Sequence, residues 1–447
     1  MKKIQLYRIA ILTVLPAMMF TSCRFEDDDF FTESAALRIE HTGDQLKSLL
    51  TEAPNGWVFQ YFCGTDGYQY EGFNMFANFY SNGKVTLASN HRMLRGGNAG
   101  KYTEASSVYD ILNEDGLVLA FNTWNDVLTP LVDPVLPSAA PNNLVKDGQG
   151  MLGDQNLVVM SFNDDEVILR GERHGAECRL VKCDTTFQGY INETDKMKNY
   201  IASTAITTYY VTNGSDTLYI SGLRNGRFRY SERLVNNVRN DSIACCFTPK
   251  GFRIEKQDSI GQNTFQEFSL AADSSCLVSE NGDVKIIARW DEYVATHTAL
   301  WKFDASFFTS EQQSLYDQIS AELQKANKNY SLAHIGIGKS TGAESVYGLV
   351  FTFYTSSKKT DKNTNTFGVA LNLSCPAFGM YDVAYNADCI TDKNLNSLKT
   401  KATQLETLAR SFAATLNGLY NVTPNNFFAP TGGLFTSTDG SKSFVLK

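Results

Sequence analysis

Long apolar runs are what this 447-residue sequence lacks first: no segment reaches the ~20 consecutive apolar residues that carry a helix across a bilayer. Histidine is scarce as well. The five present, His41, His91, His174, His297 and His334, show no His-x-x-x-His or Glu-x-x-His spacing, so no helical metal pair is visible. No Cys-x-x-Cys occurs, which removes the local signature of thiol redox sites and zinc knuckles. Asp27-Asp28-Asp29 and Asp164-Asp165-Glu166 lack the full calcium-loop pattern. Basic residues are outnumbered, 40 against 48 acids for a net charge of -8, which argues against nucleic acid and against a basic membrane patch. No cofactor is expected from these residues.

The first 23 residues carry the sharpest signal. Lys2, Lys3 and Arg8 precede an apolar stretch from Ile9 to Phe20, followed by Thr21-Ser22-Cys23. A basic start, a short apolar core and small residues before a cleavage point are expected of a secretory signal over 1–22. A cysteine at that junction is the bacterial lipoprotein pattern, with Cys23 acylated as the mature N-terminus; Phe20 stands where leucine is usual. A plain secretory signal with an incidental cysteine is the alternative. Glu26, Asp27, Asp28 and Asp29 follow at once. Such a run stays solvated and extended, so 23–31 reads as a lipidated acidic tether. It also resembles the acidic export signal of Bacteroidetes surface lipoproteins, which implies an outer-membrane protein facing the cell exterior.

With 21 tyrosines and 29 phenylalanines the chain is rich in aromatics, which suits β-sheets. The body divides by texture into 32–185, β-rich with an N-terminal helix, a second β-rich module over 186–298, and an α+β domain over 299–447. Together these predict a mainly β fold of antiparallel, hairpin-rich sheets across 55–295. A helix is expected over Thr32–Leu50, then strands at Trp57–Phe62, Phe73–Tyr80, Val85–Ala88, Val118–Phe121, Leu157–Phe162 and Val167–Arg170, with Asn82-Gly83 as a hairpin turn. Pro130–Gly153 is a long irregular loop, a class often functional. The unit around Phe247–Phe252 echoes Phe79–Val85, as a degenerate repeat or as generic hairpin grammar.

In the last third, Thr309 and Gln312 fit a capping box, and Leu315, Ile319 and Leu323 share a helix face. Asn394–Asn417 reads as one long amphipathic helix. Ala333–Ser340 matches a relaxed phosphate loop but lacks the strand before and helix after, so it reads as a Gly-bearing connection. Eight cysteines besides Cys23 allow disulfides, with Cys178–Cys183 and Cys375–Cys389 the nearest local pairs; free buried thiols are the other reading.

Several stretches together resemble one family. Phe31-x-Glu33-Ser34-Ala35-Ala36-x-Arg38, Ala53-Pro54-Asn55-Gly56-Trp57, Ser81–Val85, Ser107-Val108-Tyr109, Leu119–Thr123 and Asp165–Gly171 match its first part. Phe247–Ile254 and Phe265–Phe268 match its second, so roughly 30–280 resembles the Bacteroidetes lipoproteins of domain of unknown function 4302. The resemblance implies no catalytic residues. It implies an accessory lipoprotein beside a TonB-dependent transporter and a SusD-like lipoprotein, taking a peptide or glycan or docking on its partners. A structural or adhesive surface protein is the alternative, and a hydrolase with a dispersed site the third. Trp124 and the Pro130–Gly153 loop are the first places to look for a site, although a tryptophan more often lies in a core. Replacing Cys23 by alanine is expected to abolish incorporation of radiolabelled palmitate; unchanged labelling would show the lipid to be elsewhere.

Overall fold

The computed structural model describes residues 34–64, 70–114, 116–135, 148, 150–201, 206–223, 226–230, 233–234, 237–238, 242–289, 293, 301–342, 344–377, 379–426, 428 and 430–447. Cys23, Glu26, Asp27, Asp28 and Asp29 lie outside these residues, as does most of the Pro130–Gly153 loop. The fold is strand-rich and antiparallel, with a helix-containing C-terminal part.

Helix α1 (Ala35–Glu52) starts at Ser34, whose hydroxyl accepts the Leu37 N–H. It buries Leu46 and Leu50 under the first barrel. That barrel runs in simple sequence order: β1 (Trp57–Phe62), β2 (Phe73–Phe79), β3 (Lys84–Ser89), β4 (Thr103–Asn113), β5 (Leu117–Phe121), β6 (Asn156–Phe162), β7 (Glu166–Gly171) and β8 (Glu177–Lys182). β8 pairs back onto β1 and closes it. An eight-stranded barrel is just wide enough for side chains to fill it. Trp57, Phe59 and Tyr61 from β1 fill this one with Phe79, Phe121 and Leu180. The Trp57 indole N–H donates to the Leu50 carbonyl, tying α1 to the barrel floor. Connections at that end are tight, whereas three of the four at the other end, 63–72, 90–102 and 122–155, are long and the fourth, 172–176, is short. Within the last of these, α2 (Thr129–Val132) is a single turn.

Helix α3 (Phe187–Ile201) leads to a second barrel of β9 (Thr208–Thr212), β10 (Thr217–Ser221), β11 (Arg227–Tyr230), β14 (Ser242–Phe247), β15 (Gly251–Ile260), β16 (Asn263–Leu270), β17 (Leu277–Ser279) and β18 (Lys285–Ala288). β18 returns to β9. A small hairpin, β12 (Arg233–Leu234) and β13 (Asn237–Val238), is inserted after β11. The same up-and-down architecture thus occurs twice. The echo between Phe79–Val85 and Phe247–Phe252 does not follow it, because it joins β2 to β3 in one barrel and the fourth strand to the fifth in the other. It reflects hairpin chemistry.

The C-terminal part has two antiparallel sheets. β19 (Trp301–Lys302), β20 (Ser331–Lys339), β21 (Tyr347–Tyr354) and β22 (Thr364–Ala370) form one. β23 (Asn372–Ser374), β24 (Met380–Ala384), β25 (Gly418–Pro424), β26 (Gly433–Ser437) and β27 (Ser443–Leu446) form the other. A bridge between Phe303 and Leu446 joins their edges. The capping box at Thr309 opens α4 (Ser310–Ala326), which buries Leu315, Ile319 and Leu323. Ala333–Lys339 is strand β20, neither a connection nor a phosphate loop.

The single helix expected over Asn394–Asn417 is instead two, α5 (Lys393–Leu398) and α6 (Leu405–Thr415). The buried Glu322 of α4 accepts the Gln404 N–H at 3.0 Å and starts α6 afresh, a tertiary cap that no local pattern announces.

The two barrels meet on β1 and β2. Phe62 packs with Ala244 and Cys246, and Asn74 donates to the Phe247 carbonyl at 2.8 Å while accepting the Cys246 thiol. Gly72 lies in this seam, where a Cβ would stand 2.4 Å from the Phe62 ring and 2.8 Å from Cys246 Cβ. Gly72→Ala should therefore destabilise the protein by roughly 1–3 kcal/mol, as overpacking does. Urea unfolding would read the loss; an unchanged midpoint would show the seam to be loose.

Candidate functional site

The long loops of the first barrel gather at the rim opposite α1, and Trp124 stands there at the end of β5. It is 59% exposed, so it is presented to solvent and does not belong to the core. Its indole N–H donates to Asp126 Oδ1 at 2.7 Å, which fixes the ring's orientation. Arg95 lies over the ring at 5.9 Å and is held by Asp133 at 2.8 Å. Trp124 lines two hollows, one of about 190 Å³ walled by Arg95 and one of about 920 Å³ walled by Asp133, Gln155, Glu172, Arg173 and His174.

Buried polar residues hold this rim rigid. Asn125, beside Trp124, accepts the Val127 N–H at 2.9 Å and donates to the Ala105 carbonyl and the Ser107 hydroxyl. Tyr61, at the rim end of β1, exchanges hydrogen bonds with the backbone N–H and carbonyl of Asp154. The Asp154 carboxylate accepts the N–H groups of His174 and Ala176 near 3.0 Å. Gly153 packs so tightly that a Cβ would lie 2.4 Å from the Leu131 carbonyl oxygen.

A histidine and an aspartate thus converge in the cleft, the pattern that would favour hydrolysis. His174 Nδ1 lies 3.1 Å from the Gly153 carbonyl and 3.2 Å from Asp154 Oδ1, and the same carboxylate accepts the backbone N–H groups of His174 and Ala176. The pair clasps a loop. Arg95, Asn125, Asp126 and Asp154 escape sequence reasoning, although Asn125 two residues before Val127 is an Asx-turn spacing.

A second cleft of about 930 Å³ lies between the barrels under α3. Phe187, Tyr190 and Ile191 seat α3 on Val58 and Phe76 of the first barrel, and Met197 and Tyr200 pack toward the second. Arg179 of β8 spans the cleft floor, pairing with Glu166 at 2.8 Å and with Glu267 of the second barrel. Lys250 and Asp195 line its mouth, so its charges are mixed.

Cys63, Cys178, Cys183, Cys245, Cys246, Cys276 and Cys389 are free thiols. Cys178 points into the first barrel and Cys183 under α3, so that local pair faces opposite sides of β8. Burial raises the thiols of Cys63, Cys178 and Cys245 well above their usual range and pushes Cys246 up to about 12, which leaves them unreactive.

The family model described as a domain of unknown function, DUF4302, matches residues 27–272, more than half of the chain. This chain belongs to the DUF4302 family. No curated protein matches it. The DUF4302 span takes in α1, the first barrel, α3 and the second barrel through β16, and hence every residue named above in either cleft. The C-terminal sheets lie beyond it.

His91 supports the DUF4302 rim from within. Its Nε2–H donates to the Val127 carbonyl at 2.9 Å, and bare Nδ1 faces apolar surroundings including Phe73. Burial lowers its pKa to about 4, so the unfolded chain binds the extra proton between there and the usual 6.5. Its contribution to stability is present above that window and is lost as pH falls through it. His91→Gln should flatten this part of the stability profile, read by unfolding midpoints from pH 7 to pH 4; a profile identical to the parent's would remove His91 from the account.

Proposed function

We propose that this DUF4302 protein is a lipid-anchored outer-membrane protein that faces the cell exterior and serves a TonB-dependent nutrient-uptake system as a non-catalytic, ligand-binding accessory. Acyl chains on Cys23 hold it on the membrane, at ~0.8 kcal/mol per buried CH₂. Glu26, Asp27, Asp28 and Asp29 direct it to the surface, and a TonB-dependent transporter with a SusD-like lipoprotein are its partners.

The observation that carries the binding role is the locked, solvent-facing Trp124 over an open cleft. Its position supports the anchor reading. Ser34, the first described residue on the tether side, leads into α1 at the barrel floor, while Trp124 occupies the opposite rim. An anchor at the floor points the loop-bearing end away from the membrane, where ligand arrives. Loops on a rigid scaffold are the usual place for such contacts.

A C-terminally tagged copy purified from native outer membranes should bring down a TonB-dependent transporter and a SusD-like lipoprotein, identified by mass spectrometry. Recovery of the protein alone, still open to external protease, would sink the accessory role and favour adhesion.

A further inference from the structure

The large rim hollow differs from an apolar pocket in what surrounds its aromatic. Trp124 offers a broad flat face, and Asp126 holds it in one orientation before any ligand arrives. Around it stand side chains with planar polar ends: Gln155, Glu172 and Arg173, all exposed. Glu172 is oriented by the Asn156 amide, which donates to its Oε2 at 3.0 Å. Arg95 neutralises Asp133 close by, so the wall is polar without a strong net charge.

A face of aromatic carbon beside bidentate donors and acceptors suits a ligand that is itself two-sided, with a C–H face and a hydroxyl edge. Sugars have this construction. The partly positive C–H groups of a pyranose meet the negative π face, and carboxylate, amide and guanidinium groups each span two neighbouring hydroxyls. A peptide strand would seek an unpaired sheet edge, and the closed barrel beside the cleft offers none.

We propose that the large rim cleft of the first barrel binds carbohydrate, with a pyranose ring stacked on Trp124 and its hydroxyls held by Gln155, Glu172 and Arg173. This deepens the binding role argued above and rests on it. Asp126 is a positioning residue, since it acts through the indole.

The test is calorimetric titration of the full-length protein in detergent with two probe sets. One holds neutral hexaoses of gluco, manno and galacto configuration in α and β linkage; the other holds mixed-sequence hexapeptides. A hexaose is expected to bind. Trp124→Ala should weaken it by about tenfold, the effect of exposing one ring-sized apolar contact, and Trp124→Phe should recover most of the loss. Trp124 is exposed, so both variants should keep the parent's unfolding midpoint, and Asp126→Ala should weaken binding less than Trp124→Ala. Hexaose binding unaffected by Trp124→Ala would overturn the site. Peptides bound through Trp124 without sugars would overturn the ligand class while leaving the accessory binding role standing. Binding of neither set would overturn both, and recovery of the transporter in the membrane pull-down would then assign the protein to docking alone.

Discussion

Strand β1 is buried on both faces, and the rest of the structure depends on that. Trp57, Phe59 and Tyr61 point into the first barrel; Val58, Gln60 and Phe62 point outward, where Val58 meets α3, Gln60 lines the inter-barrel cleft and Phe62 meets the second barrel. A strand ordinarily alternates between core and solvent. Here the outer face is an interface, so one six-residue segment closes a barrel with β8, seats the connecting helix and meets the neighbouring barrel. A one-residue slip of register would exchange the two sets of side chains and break all three contacts at once.

The same strand reaches the rim. Tyr61 grips the backbone of Asp154, Asp154 clasps the loop before β8, and Asn125 ties the chain beside Trp124 back to β4. These buried polar groups satisfy backbone donors that would otherwise be stranded away from water. Their effect is to pin the chain at Asn125 and at Asp154 to the strands beneath it. Trp124 is therefore presented in one pose, and a contact made in one pose loses little entropy on binding.

Much of the fold was legible from single segments. Trp57–Phe62 and the hairpin across Asn82-Gly83 declare themselves because aromatic runs and a φ > 0 turn are local properties. Strand β4 was harder: Thr103–Asn113 is polar along its exposed side and carries few large apolar residues. Helix α3 hides similarly, since its polar outer face dilutes the Phe187, Tyr190 and Ile191 contacts. The break between α5 and α6 could not be read at all, because the group that caps α6, Glu322, is supplied from α4. Trp124 could be singled out by type, but its exposure could not.

By itself the sequence determined the strand-rich antiparallel class, the resemblance to DUF4302 over most of both barrels, and the capping box at Thr309, because periodicity, turn residues and short motifs act over a few neighbours. Closure was decided only by tertiary structure. β1 meets β8, and β9 meets β18, across the length of a whole barrel. Closure is also what sets a floor apart from a rim. It brings Arg95, Glu172 and Arg173 around one indole from loops that are remote in the chain, and such convergence leaves no mark on local spacing.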